Sequence, residues 1–187
     1  DMATKQLETY APIPNQSLVS LVYKDGYLYG GSSVWNSYGD AEELEAEAKM
    51  FVWDVEKNEV VKTFVPVPDK RAITKLSVGP DENMWGFAEG HLFIYDPEAD
   101  EIIYDEAKFN IKYSSITYRD AFMEILDDGY IYRTIQGCFF MLDPITKSVY
   151  TINTGSKRYL TQSTNNELFM MGPGQHLYKA FDPAMQK

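Results

Sequence analysis

The sequence predicts an all-β chain of the β-propeller class, four repeats of four antiparallel strands, and three observations carry that prediction. The first is a recurring pattern: an apolar run, an aspartate that opens a turn, a few polar residues and a second run. It reads MFVWDVEKNEV from Met50, LFIYDPEADEI from Leu92, FFMLDPITKSV from Phe139 and YKAFDPAMQK from Tyr178. The chain also begins inside a copy, since DMATKQLETY aligns with DPITKSVYTI at Asp143. The second is spacing: Asp1, Asp54, Asp96, Asp143 and Asp182 recur at a loose period of about forty residues, the repeat length of a propeller blade. The third is composition. Fourteen Tyr and ten Phe in 187 residues favour pleated surfaces, and 44% apolar content is enough for a packed core.

Taken in order, each repeat carries the same parts. First strands are LVSLVY from Leu18, ITKLSV from Ile73, AFMEIL from Ala121 and YLTQS from Tyr159. Hairpin turns follow at Lys24-Asp25-Gly26, Pro80-Asp81-Glu82-Asn83, Asp127-Asp128-Gly129 and Thr164-Asn165-Asn166, where Asp, Asn and Gly accept the backbone a tight turn needs. Second strands read YLYG, MWGF, YIYR and ELFMM. Third strands are apolar on both faces: Phe51, Val52 and Trp53; Phe93, Ile94 and Tyr95; Phe140, Met141 and Leu142. A strand buried on both faces lies between two layers, and in a propeller the neighbouring blades are those layers. Trp53 and Trp85 are expected in the core.

The repeats span residues 11–64, 72–105, 119–153 and 158–187, with 1–10 as the outer strand of a preceding blade or of the last one. Two closures follow: a four-bladed ring completed by residues 1–10, or a section of a larger propeller. The section is favoured, because four blades is at the small end of the range. A two-sheet sandwich does not explain the register of the repeated turns.

Two stretches break the period. An insertion, SSVWNSYGDAEELEAEAK, separates the second and third strands of the first repeat, and its part from Asp40 to Lys49 is expected to form one or two helical turns. Tyr104–Asp120 is the longest link between repeats.

A net charge of −11 argues against broad electrostatic binding to nucleic acid or anionic membrane. The single cysteine, Cys138, excludes an internal disulfide framework and a Cys-based zinc site, and its place in CFFML reads as a buried structural thiol. No run reaches the roughly 18 apolar residues of a membrane helix. The acidic run from Glu42 to Glu47 reads as a solvated face, because it lacks the alternating spacing of a calcium loop. No metal site and no cofactor is called for.

The hairpin D-P-x-T-K and the run GPDENMWGF, Gly79 to Phe87, resemble bacterial propeller repeats, among them the pyrroloquinoline-quinone-type and streptogramin-lyase repeats. The resemblance covers nearly the whole chain and implies blades rather than an activity. Glu82 stands where those repeats carry glycine. The quinoprotein tryptophan docking motif is absent. Of the two histidines, His91 and His176, both beside hairpin turns, neither can be placed as the lyase family's catalytic one.

Strand parity predicts where a ligand would bind. In an up-and-down blade the second-to-third turns and the links between blades share one face, around the mouth of the central channel. The insertion and the long link both fall there. The links hold Lys70-Arg71, Tyr118-Arg119-Asp120 and Lys157-Arg158, so repeat symmetry aims Arg71, Arg119 and Arg158 at one mouth. A guanidinium fork matches a carboxylate or sulfate. From the insertion, Trp35, Asn36, Tyr38 and Asp40 suit stacking on and hydrogen bonding to a sugar ring. Arg133, on a second strand, is either a fourth inward cation or solvent-facing.

The expected function is therefore a ligand-binding or scaffold module of an extracellular bacterial protein, taking an anionic oligosaccharide, with further blades of the same protein as neighbours and no nucleic-acid or membrane partner. The alternatives are part of a propeller lyase acting on uronate glycans, with Tyr118 as the base beside Arg119, and a protein-interaction platform using the Asp40–Glu47 segment.

Overall fold

The computed structural model describes residues 6–34, 45–111, 122–126, 128–135, 137–153, 158–165, 167–172, 174 and 176–180. Among the described residues, fifteen strands form four antiparallel sheets and no α-helix occurs. The first sheet is β1 (Ser17–Lys24), β2 (Tyr27–Ser33), β3 (Met50–Asp54) and β4 (Glu59–Phe64). The second is β5 (Ile73–Val78), β6 (Met84–Ala88), β7 (His91–Asp96) and β8 (Glu101–Ala107). The third is β9 (Phe122–Ile125), β10 (Ile131–Ile135), β11 (Cys138–Leu142) and β12 (Val149–Asn153). The fourth is β13 (Arg158–Gln162), β14 (Leu168–Met171) and β15 (Leu177–Ala180). Strands pair in chain order within each sheet, as four propeller blades do.

The blades stack through apolar seams. In the first, Tyr29, Met50 and Val52 of blade 1 meet Ile73, Leu76, Met84 and Phe93 of blade 2. In the second, Trp85, Phe87, Leu92 and Ile94 of blade 2 meet Met123, Ile131, Phe140 and Leu142 of blade 3. In the third, Leu126, Tyr132 and Phe139 meet Leu160, Leu168 and Met170. Every residue of β3 and the four central residues of β7 are buried, as two-faced burial requires. Trp53 and Trp85 are core residues, and Trp85 donates Nε1–H to Asp81 Oδ1 at 2.7 Å.

The turn aspartates work alike. Asp54 Oδ1 accepts from the backbone N–H of Glu56 (3.0 Å) and Lys57 (2.9 Å). Asp96 Oδ1 accepts from Glu98 (2.8 Å) and Ala99 (3.0 Å), and Asp143 Oδ1 from Ile145 (2.8 Å) and Thr146 (3.1 Å). Each turn closes four residues on in the left-handed region, at Asn58, Asp100 and Lys147. Asn and Asp tolerate that conformation well, which fits two of the three.

Residues 6–10, the described part of the expected outer strand 1–10, form no strand. Tyr10 instead packs edge-on against Trp53, with ring centroids 4.7 Å apart. The aromatic contact on the sheet face takes the place of a ladder at its edge. Of the expected helical turns, residues 45–49 are not helical, and 40–44 lie outside the described residues. Cys138 is half-buried rather than buried.

Candidate functional site

Three segments that strand parity assigns to one face meet in a cleft of 340 Å³: Lys70 from the link into blade 2, Glu89-Gly90 at the β6–β7 turn, and Lys108–Ile111 leading out of β8. Glu89, buried and left-handed (φ 55°), binds the turn to the link. Its N–H donates to the Ala72 carbonyl at 3.0 Å, and its Oε1 accepts the Arg71 N–H at 2.7 Å. The Gly90 carbonyl accepts from the N–H of Lys108 (2.9 Å) and Phe109 (3.1 Å). Any Cβ at residue 90 would strike the Phe109 backbone, so only glycine allows this approach.

The cleft is lined by three basic side chains in different surroundings. Lys70 lines it without an ion pair to a described residue. His91 Nδ1 lies 3.0 Å from Asp105 Oδ1. Lys108 Nζ lies 2.6 Å from Glu106 Oε2 and 5.4 Å from the Tyr104 ring centroid. Burial works to lower the Lys108 pKa, but the hydrogen bonds to Glu106 and Tyr104 outweigh it and the pKa rises. The same lysine holds the Glu106 carboxyl below its usual range. Lys108 thus stays cationic at neutral pH. Phe109 supplies an apolar wall, its ring tilted against that of Phe140 with centroids 4.5 Å apart.

The opposite face carries a cleft of the other sign. Asp25, Asp81, Glu82, Asp96 and Glu98 line a 470 Å³ hollow between the turns of blades 1 and 2, where Lys24 pairs with Glu82 (2.8 Å) and Asp25 (3.0 Å). The first cleft thus gathers basic side chains, two of them beside carboxylates, whereas the other hollow is lined mainly by acids.

Of the residues singled out in the sequence, Arg71 lies beside the first cleft through its backbone, with its carbonyl accepting the Val34 N–H at 2.9 Å. Arg158 begins β13. Trp35, Asn36, Tyr38, Asp40, Tyr118 and Arg119 lie outside the described residues. His176 packs near Tyr178, with ring centroids 6.2 Å apart.

Arg133 corrects the sequence reading: it neither lines a mouth nor faces solvent. It is fully buried in the seam between blades 2 and 3. Its Nη2 donates to Thr74 Oγ1 at 2.7 Å and its guanidinium carbon lies 3.7 Å from the Phe87 ring centroid, while Nε and Nη1 have no acceptor. The alternation of β10 places it on the Ile131 and Ile135 side, so the side chain enters the seam whatever its polarity. Glu89, Lys108 and Phe109 were not foreseen as site residues. Their one signal was the Glu-Gly pair at a turn between two apolar strands.

No family model matches the chain, and no curated protein matches it. Solved structures do. The extracellular domain of a candidate hybrid two-component system from B. thetaiotaomicron superposes with a TM-score of 0.64 at 16% identity, covering 95% of this chain and 22% of its own. That of a candidate one-component system from the same organism gives 0.63 at 15% identity, covering 96% and 22%. At these identities the likeness shows the fold, a run of propeller blades, and this chain spans about a fifth of either structure. A pyrroloquinoline-quinone-type or streptogramin-lyase character is not confirmed.

Proposed function

We propose that the chain is part of the ligand-binding region of an extracellular bacterial β-propeller protein, and that the ligand is an anion, specifically an acidic oligosaccharide, bound on the face of the Lys70–Lys108 cleft. The observation that carries this reading is the convergence of Lys70, His91 and Lys108 with the apolar wall of Phe109 on one face, in a molecule whose opposite cleft is acidic. Lys70 offers an ammonium free of any described acid, and Phe109 offers a ring face for a sugar. Trp35, Asn36, Tyr38, Asp40, Arg71, Tyr118, Arg119 and Arg158 remain proposed members of the same face by strand parity. The structural neighbours, extracellular domains of candidate sensor systems, fit an extracellular recognition role.

Calorimetric titration with oligouronates, and with neutral oligosaccharides of equal length, tests this. Binding of the uronates alone, weakened at least about tenfold by Lys70→Glu (roughly 1.4 kcal/mol), is expected. Equal binding of neutral sugars, no binding of any oligouronate, or affinity untouched by Lys70→Glu would overturn it.

A further inference from the structure

Blades 1 and 2 can be superposed ladder by ladder through their turns. Trp53, just before Asp54, corresponds to Tyr95, just before Asp96. Trp53 pairs with Leu28 and Tyr95 with Met84; Leu28 pairs with Tyr23 and Met84 with Val78. Two residues along, Phe51 pairs with Gly30 and Gly30 with Leu21, as Phe93 pairs with Gly86 and Gly86 with Leu76. Beyond a bulge in both blades, Leu18 corresponds to Ile73.

In blade 2 these positions are the face that blade 1 covers: Ile73 and Leu76 are fully buried. Blade 1 keeps the same apolar chemistry at each position, yet Leu18 is 47% exposed, Leu21 58% and Tyr23 63%. Leu18 and Leu21, together with Tyr10, Leu28 and Trp53, line an open apolar groove of 380 Å³. Residues 10–13 cover the part of the face over β3, where Ile13, Phe51 and Trp53 are buried together, and they leave Leu18 and Leu21 on β1 open. The β1 side of this face, apolar at every seam position and open to water, is an unfilled seam.

We propose that this face of blade 1 is the seat of a further propeller blade of the same polypeptide. The four blades are then consecutive members of a larger ring. The partner's chemistry is set by what covers blade 2: a four-stranded antiparallel sheet presenting apolar residues where blade 1 carries Val22, Tyr27, Tyr29, Met50, Val52 and Phe64. The solved structures of like fold are long enough to hold it, since this chain matches 22% of each.

Maleimide labelling of the intact gene product, read by peptide mass, tests the seam. Leu21→Cys is compared with Ile103→Cys, an outer-strand position of similar exposure (46%), in a Cys138→Ser background. The expected result is labelling of Leu21→Cys at least about 100-fold slower, because reagent reaches a seam only through local opening; Tyr23→Cys, at the next seam position along β1, should follow it. Equal rates at Leu21→Cys and Ile103→Cys overturn the proposal. So does protection that disappears on dilution to nanomolar protein, which would make the occupant a second copy of this chain.

Discussion

At the scale of single residues, Arg133 is the least expected side chain. A guanidinium buried in an apolar seam keeps one hydrogen bond, to Thr74, and pairs with no acid among the described residues. Burial alone pushes its pKa well down. Thr74 Oγ1 also donates to the Phe87 carbonyl at 3.1 Å, so its hydroxyl loses little if the arginine goes. Arg133→Met is therefore expected to stabilise the chain by about 1–4 kcal/mol, seen as a higher urea midpoint at unchanged m-value. Arg133→Ala should destabilise it, because the seam cannot close over the void. A loss with Met would mean that the charge has a partner in the folded protein.

The turn aspartates set a pH dependence. The Lys57 ammonium and backbone N–H groups hold Asp54 below the usual carboxylate range, and the backbone N–H groups of Thr146 and Ile145 do the same for Asp143. Both groups are more acidic folded than unfolded. Their stabilisation is complete above the unfolded pKa, near 4, and is lost as pH falls through the lower folded values. The melting temperature should drop between about pH 5 and pH 2, and Asp143→Asn should lower it at pH 7 while making the acid limb shallower. A parallel limb in the variant would count against this account.

At the scale of elements, the repeat is a cross-strand pair as much as a turn. Gly30 opposes Phe51 and Gly86 opposes Phe93, and in each case the ring occupies the space a Cβ would need. A Cβ at residue 86 would also come within 2.8 Å of Leu76 Cδ2. Gly86→Ala is expected to cost about 1–3 kcal/mol through overpacking, and Phe93→Leu in the same chain should recover part of it; chemical denaturation of the three variants checks the coupling. The strands and turns were legible in the sequence, because short apolar runs such as MWGF and the Asp-led turns are local patterns. The glycine's partner was not, because Gly86 and Phe93 meet only once register is set. The same limit applies to the cleft: Lys70 stood out in its link, while Glu89 and Lys108 became site residues only when the β6–β7 turn met the chain leaving β8.

At the scale of the whole molecule, equivalent positions have unequal worth. Leu76 is fully buried between two blades, and its counterpart Leu21 is more than half exposed. In the 187-residue chain, Leu76→Ala is expected to cost about 2–5 kcal/mol, while Leu21→Ala should stay within about 0.5 kcal/mol. Equal losses in a denaturant titration would show that something in this chain already covers blade 1.

The sequence by itself determined the class of fold, the number of repeats and the face on which links and long turns gather. Each of these follows from local periodicity and strand parity, which need no knowledge of what packs on what. The tertiary structure alone decided that Arg133 lies in a seam, that Lys70, His91 and Lys108 converge, and that Leu21 is open where Leu76 is closed. Those outcomes depend on which blade stands next to which, and identical local patterns cannot distinguish a covered face from an open one.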